Sequence, residues 1–287
     1  MNNKGKSIDV IAWVLFFLAI GFFCLQVGYF LGHEKYQIEY IDNRLFYIIN
    51  ICFVICLFFA VVLLLRLNKI SLWFTFIIGI VLIAVNIGLC ISNNQQVRNI
   101  VSISPDFKHV LSIKEDRKEG ESIYYRSSFL IFARPTEKLP YEMNGEFKVE
   151  WLANDIAAFT YKAKNQTVHQ FIATYGDRNS GLSYYNVGPE IQGKWQGGDL
   201  EMISDTDGIT VIEKKGITER YDWDHIVQFG TLAIVLMKNN EPVWTIALDT
   251  NFKVESDSSK FPTNEIILYR ATMEENQPIQ MQFKGLN

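Results

Sequence analysis

The chain has 287 residues, of which 49% are hydrophobic, and its 27 Lys and Arg face 31 Asp and Glu, for a formal net charge of −4. The part after residue 92 holds 21 of these basic and 27 of these acidic residues, so the acidic excess lies there. Nucleic-acid binding domains present a basic field to the phosphates, and we therefore expect no nucleic-acid partner. The longest apolar runs all fall in the first third of the chain, which is typical of a membrane protein.

Three apolar runs, at residues 10–32, 45–65 and 70–91, have the length that a helix needs to cross a bilayer. Each has about 21 to 23 residues, and about 20 suffice at a rise of about 1.5 Å per residue. None of them contains a charged side chain. We therefore predict a three-span transmembrane anchor over residues 1–92, surrounded by the lipid bilayer, and a separate domain over residues 93–287.

Basic residues next to the spans predict how the anchor is inserted. Lys4 and Lys6 precede the first span, and Arg66 and Lys69 lie in the short turn between the second and third spans. The loop at residues 33–44 has two basic residues but also three acidic ones. The positive-inside rule then predicts a cytoplasmic N-terminus. After three crossings the second domain is extracytoplasmic, and the chain is expected in the cell membrane as a multi-pass protein.

Three amide side chains inside the spans are predicted to form an interhelical polar layer. Gln26, Asn50 and Asn86 each lie about five residues outward of the middle of their span, or about 8 Å above the midplane. An amide in hydrocarbon has no water to bind, so it tends to hydrogen-bond across helices. We expect the three to face one another. A polar lining for a transport path is the alternative.

All four cysteines, Cys24, Cys52, Cys56 and Cys90, lie within the predicted spans. A domain without cysteine is typical of bacterial surface proteins rather than of disulfide-rich eukaryotic ectodomains. We interpret the four as small apolar packing residues. The four cysteines do not indicate a metal site, and we expect no cofactor.

The second domain has the pattern of short antiparallel strands. Runs rich in β-branched and aromatic residues alternate with clusters of Gly, Asn, Asp and Pro, and we see no long amphipathic helix. The predicted strands are 109–114, 122–132, 147–152, 156–162, 168–175, 182–187, 200–204, 209–213, 218–223, 231–237, 243–249, 265–272 and 279–283. Short connections between several consecutive pairs favour hairpins.

Two segments of this domain resemble parts of β-propeller blades of the TolB type. The run from Ser104 to Val110 is similar to the Ser-Pro-Asp-Gly-Lys turn of those blades, with Phe107 in the glycine position. The run from Phe147 to Phe159 is similar to the tryptophan, turn and hydrophobic strand that open a blade. The resemblance implies propeller-like hairpins, without membership of the family.

Few residues of the domain have the chemistry of a site. Asp222, Asp224 and His225 form the densest ionisable cluster and could act as a general base or bind a metal, although a strand end explains them equally well. Trp195 stands between glycines, where an exposed ring could stack on a sugar or a peptide, although core packing also explains it. We see no catalytic or cofactor-binding motif.

The predicted fold class is therefore an α+β membrane protein. A three-helix transmembrane bundle is followed by an all-β extracytoplasmic domain, built as an antiparallel meander or sandwich. The favoured function is a non-catalytic binding or sensing domain for an envelope protein or a cell-wall component. One alternative is an accessory or immunity-type subunit that regulates a transporter, pore or membrane enzyme. Another is an extracytoplasmic hydrolase that uses the cluster at Asp222, Asp224 and His225.

Overall fold

A computed structural model describes residues 3–65, 67–129, 131–176, 186–214, 216–252 and 265–286. The chain separates into two compact units, and the predicted division at residue 92 stays a prediction. The first consists of Met1–Val101 and Ser112–Lys138, and the second consists of Ser102–Leu111 and Leu139–Asn287. The anchor therefore shares its unit with part of the β structure.

The first unit contains three long helices, as predicted: α1 (Asn3–Tyr36), α2 (Arg44–Leu65) and α3 (Lys69–Gln96). All three contain a segment that is long and apolar enough to cross a membrane. The turn before α3 ends in Asn68, whose side chain accepts a 2.9 Å hydrogen bond from the backbone N–H of Ser71 and caps the helix. Arg66, one of the basic residues of this turn, lies outside the described residues.

The connection between α1 and α2 is a short β-strand, β1 (Glu39–Tyr40), which sequence analysis did not predict. It belongs to a five-stranded antiparallel sheet with strands in the order β1-β5-β4-β3-β2. The other strands are β2 (Val97–Ile103), β3 (Val110–Asp116), β4 (Ser122–Phe129) and β5 (Phe132–Lys138). Glu39 pairs with Ala133, and Tyr40 pairs with Phe132. The loop between two of the apolar helices is thus an edge strand of this sheet.

A buried ion pair holds this edge strand in place. Lys114 Nζ lies 2.5 Å from a carboxylate oxygen of Glu39, and only 6% of the lysine side chain is exposed, against 26% for the glutamate. The Tyr125 hydroxyl donates to the other carboxylate oxygen at 3.3 Å, and its ring lies 4.3 Å from Lys114 Nζ. Burial lowers the pKa of Lys114, and the carboxylate of Glu39 opposes that shift. Such a charge is tolerable only while its partner is present.

In the described part of the chain, the three amides of the predicted polar layer do not hydrogen-bond to one another. Gln26 is buried, donates to the backbone carbonyl of Phe46 at 2.9 Å and accepts from the Tyr40 hydroxyl at 3.3 Å. Asn86 donates to the carbonyl of Leu82 one turn earlier in its own helix, at 2.9 Å. Within the described part of the chain, no hydrogen bond of the Asn50 side chain is seen. A nearby backbone carbonyl or hydroxyl satisfies an amide without another amide.

The second unit begins its sheet structure with three antiparallel strands in the order β6-β7-β8. These are β6 (Met143–Ala153), β7 (Ile156–Ala163) and β8 (Val168–Thr174), and two tight turns connect them. All but one of the eight residues of β7 are buried, because the strand is central and covered on both faces. The predicted hairpin over residues 156–175 is confirmed.

A nine-stranded antiparallel sheet forms the rest of the second unit, in the order β12-β11-β10-β9-β17-β16-β15-β14-β13. Its strands are β9 (Gly193–Gly197), β10 (Leu200–Ser204), β11 (Gly208–Glu213), β12 (Thr218–Asp222), β13 (Ile226–Phe229), β14 (Ala233–Lys238), β15 (Glu241–Leu248), β16 (Glu265–Arg270) and β17 (Ile279–Gly285). Lys238 of β14 lies 3.4 Å from Glu219 of β12, and Trp244 of β15 donates to the same carboxylate at 3.1 Å. The edge strand β12 therefore curls towards β14 and β15, which makes the sheet barrel-like.

The all-β prediction for this part of the chain agrees with the structure, with local exceptions. The strands β2, β5, β9 and β13 were not predicted as such, and a single helical turn, α4 (Val187–Glu190), also lies in the chain. The predicted strand at residues 182–187 lies mainly outside the described residues. The described strands form sheets of five, nine and three rather than repeated four-stranded blades. The resemblance to a propeller is therefore limited to single hairpins.

Replacing Lys114 with Met should destabilise the first unit, because Glu39 then keeps a buried charge without its cation. We expect a loss of about 2 to 4 kcal/mol in the free energy of unfolding, reduced from the full cost of breaking a buried pair because Glu39 is partly exposed. Thermal unfolding of the full chain in detergent, followed by circular dichroism, measures the effect.

Lys138→Met is the matched control. Lys138 pairs with Glu121 in the same sheet, but both side chains are well exposed. Its loss should cost less than about 1 kcal/mol. Equal stability of the two variants would show that the buried pair does not hold the strand.

Candidate functional site

The second unit contains an open cleft between its two sheets, with a volume of about 320 Å³. One wall comes from β7, β8 and the segment before β6, and the other comes from β13, β14 and the start of β15. A cleft of this size lies at the lower end of the range for small-ligand sites. Its floor and sides combine aliphatic, aromatic and a few polar side chains, so we treat it as the candidate functional site.

The first wall is built around His169, of which only 6% is exposed. The ring of Tyr141 stacks on the imidazole, with centroids 3.6 Å apart and planes within 10° of parallel. His169 Nε2 lies 2.6 Å from the hydroxyl of Thr167, whose proton is directed to Asn165 at 2.6 Å. The network therefore assigns the proton of the neutral ring to Nε2 and leaves Nδ1 as an acceptor.

Burial sets the charge state of this wall. It lowers the pKa of His169, and the carboxylate of Glu241 opposes that shift. Burial also raises the pKa of the Tyr161 hydroxyl, while the backbone of Tyr141 opposes the rise. At neutral pH the wall thus presents an uncharged imidazole and an uncharged phenol. The Tyr161 hydroxyl is itself buried, and neither group carries a charge that a ligand would have to desolvate.

Gln170 fixes the two sheets against each other beside the cleft. Its amide nitrogen donates to the Thr160 hydroxyl on β7 at 2.9 Å, and its amide oxygen accepts from the Thr245 hydroxyl on β15. Further along the same strand, the rings of Phe171 and Phe229 meet edge to face at 6.0 Å. The cleft is therefore a preformed feature of the packing between the sheets.

The second wall is mainly apolar. Val227 of β13 is 45% exposed, and Phe229, Val235 and Met237 line the cleft beside it. The hairpin from β14 to β15 closes this side through Asn239 and Asn240, both with positive φ, as a two-residue turn of type I′ requires. An exposed valine next to a methionine is a surface that an apolar ligand group can cover.

The ionisable cluster predicted from sequence is divided by the structure. Asp224 and His225 lie on a single 3-10 turn (Trp223–His225) and line the rim of the cleft, where both are exposed. Asp222 instead pairs with Arg220, at 3.8 Å. Among the described residues, no hydrogen bond connects His225 with Asp222 or Asp224. The three therefore do not form one site, because adjacent positions on an extended strand and a turn direct their side chains differently.

Trp195 lies in the core and not on the surface. It is completely buried on β9, donates from Nε1 to the carbonyl of Ile191 at 2.8 Å and meets the ring of Phe283 edge to face at 5.2 Å. The glycines around it permit close strand packing, since a Cβ at Gly197 would lie 2.1 Å from the carbonyl oxygen of Gln280. The flexible-loop interpretation of this segment was wrong, and the core interpretation agrees with the structure.

Sequence analysis missed the residues that give the cleft its chemistry. Tyr141, Tyr161 and His169 lie in three separate segments, and only the pairing of β7 with β8 places Tyr161 opposite His169. The alternation of buried residues in β8 was the one available signal, because it puts His169 and Phe171 on the same face. Among the described residues, no group of three or more metal-ligating side chains is found.

Comparisons with protein-family models, with curated proteins and with solved structures find no match for this chain. The function is therefore argued from the chemistry of the chain itself.

The low pKa of His169 predicts a pH-dependent stability. Its pKa is lower in the folded chain than the ordinary value of about 6.5, so the unfolded chain binds the proton more tightly. Stability should therefore fall as the pH drops below about 6.5, and it should recover above that value. His169→Gln, which cannot titrate, should lose less stability than the natural chain between pH 7.5 and pH 5.5. The readout is the thermal midpoint at each pH, and an equal loss in both chains would contradict the assignment.

Proposed function

We propose that this chain is a non-catalytic, multi-pass membrane protein that holds a β-rich binding domain on the outer side of the cytoplasmic membrane. The cleft of the second unit is its binding site, and the ligand is part of an envelope protein or of a cell-wall component. The observation that carries the proposal is the cleft itself, which is preformed, partly apolar and lined by a few polar side chains. These are the properties of a recognition site.

The three-span arrangement has support within the first unit. Three crossings put the loop between α1 and α2 on the same side of the membrane as the chain that follows α3. The pairing of Glu39 and Tyr40 with β5 agrees with this arrangement, since β5 comes after all three helices. The basic residues Lys4, Lys6 and Lys69 then favour insertion with the N-terminus inside.

Binding explains the chemistry of the cleft better than hydrolysis does. A hydrolytic histidine needs an orienting carboxylate and a nucleophile or bound water at hydrogen-bond distance. His225 has an exposed side chain at the rim, and His169 is held by a threonine and a stacked tyrosine. The aliphatic wall around Val227 and Met237 instead suits an apolar group of a ligand.

The alternative of a membrane accessory subunit rests on α3. None of its residues is buried, so its apolar side chains are available either to lipid or to the helices of a partner. A partner that acts in the membrane would contact this helix and not the cleft. The two functions therefore predict different contact positions on the same chain.

Site-specific photo-crosslinking in intact cells separates these functions. The photoreactive residue p-benzoylphenylalanine at Val227, inside the cleft, should give a discrete product that the same probe does not give at Ile217. Ile217 is a matched control, because it is a similarly exposed aliphatic residue of the same unit, with 52% exposure. Met237→Arg, which fills the cleft, should weaken the Val227 product several-fold.

Two results would contradict the binding proposal. Identical products from Val227 and Ile217 would show that the cleft has no specific occupant. Discrete products from Ile78 on α3, with none from Val227, would show that the partner contacts the helices and not the cleft.

A further inference from the structure

A second concave surface of the second unit lies away from the cleft. This groove has a volume of about 500 Å³ and is formed by the end of β6, the turn after it, the segment after β15 and the segment that leads into β17. The residues that give it its chemistry are Glu150, Trp151, Asn154, Asp249, Gln277 and Gln280. None of them lines the cleft, so the groove needs an explanation of its own.

The aromatic platform of the groove is Trp151, which is held rigidly. Its indole N–H donates to the Ser102 hydroxyl at 2.9 Å. Tyr175 stacks on it with ring centroids 5.8 Å apart and does not itself line the groove. The Tyr175 hydroxyl donates to the carbonyl of Val110 at 3.0 Å, and the ring of His109 stacks on Tyr175 at 5.0 Å. The rings of His109, Tyr175 and Trp151 thus form one stack, which holds the indole in place.

The turn that resembles a propeller signature borders this groove through Pro105. The Ser104 hydroxyl donates to Asp106 at 2.7 Å and accepts from the backbone N–H of His109 at 2.9 Å. Phe107 has a φ of 62°, the left-handed conformation that glycine supplies in the signature. The turn is therefore fixed by its own hydrogen bonds, and the groove keeps its shape without a ligand.

The polar side chains of the groove are mainly planar amides and carboxylates, together with the hydroxyl of Thr250. Asn154, Gln277 and Gln280 each offer a donor and an acceptor, and Glu150 and Asp249 offer carboxylate oxygens. One oxygen of Asp249 already accepts from the backbone N–H of Asn251 at 3.0 Å. No lysine or arginine is among the described residues that line the groove. An anionic ligand would meet the carboxylates of Glu150 and Asp249, so the charge of the described lining residues disfavours phosphates and acidic sugars. A ligand that is uncharged and rich in hydroxyl groups fits this set.

We infer that the groove binds an uncharged oligosaccharide. A sugar ring has an apolar C–H face, which can stack on Trp151, and a rim of hydroxyl groups, each both donor and acceptor, which the amides and carboxylates match. The preorganised tryptophan reduces the entropy that binding costs. This inference does not depend on the cleft, and the two sites can be tested separately.

Calorimetric titration of the full chain in lipid nanodiscs tests the inference. Nanodiscs are required because detergents with sugar head groups would compete for the groove. The probes are chitotetraose and cellotetraose, which are neutral, and tetragalacturonate, which is anionic. We expect at least one neutral probe to bind and the anionic probe to bind at least about tenfold more weakly.

Two variants and a control assign that binding to the groove. Trp151→Ala should weaken it about tenfold, because the stacking surface is lost. Gln280→Ala removes only an exposed amide and should weaken it about fivefold without affecting the fold. Gln196→Ala, an exposed amide on the neighbouring strand β9, is the matched control and should leave the affinity unchanged.

Three results would overturn the inference. The first is that neither neutral probe binds, and the second is that the anionic probe binds as tightly as the neutral ones. The third is that calcium binds in place of the sugars and that Glu150→Gln with Asp249→Asn abolishes its binding. In each case crosslinking from Val227 would be unaffected, so failure here is distinguishable from failure of the proposed function.

Discussion

The buried pair of Glu39 and Lys114 is the interaction on which the first unit depends. Glu39 comes from the loop between two apolar helices, and Lys114 comes from β3, more than seventy residues later in the chain. Both charges lose hydration when the unit folds, and they compensate for it through one short contact and a tyrosine hydroxyl. The pair therefore restricts the structure that the loop can adopt more than it adds net stability. If the loop did not form the edge strand, Lys114 would be buried without the carboxylate of Glu39.

This condition changes how the anchor and the β structure are understood. A helical anchor with a flexible loop would allow any domain to follow it, as a simple tether does. Here the loop pairs with β5, and the ring of Tyr40 packs against Phe132 with centroids 5.0 Å apart. The helices therefore have a sheet of their own. The second unit, which carries the cleft and the groove, keeps a separate core around residues such as Trp195, Ile246 and Leu268.

The sequence predicted most of what depends on local pattern and little of what depends on distant pairing. Three helices follow from apolar length, and most strands follow from alternation between turn residues. The strand β9 was not predicted because its glycines are typical of a loop. In the structure these glycines permit close packing around Trp195. The Glu39–Lys114 pair and the stack of Tyr141 on His169 leave no local signal. For the same reason the predicted site residues Asp224 and His225 reach only the rim of the cleft, and its buried wall was not predicted.

The central claim of the proposal is that the strands after α3 lie on the outer side of the membrane and that the turn between α2 and α3 lies on the inner side. Single cysteines at Asn68 and Glu275, on a background in which Cys24, Cys52, Cys56 and Cys90 are replaced by alanine, test it most directly. A membrane-impermeant maleimide applied to intact cells should label the cysteine at Glu275 and should label the one at Asn68 only after lysis. Labelling of Asn68 in intact cells, with Glu275 protected until lysis, would contradict the account.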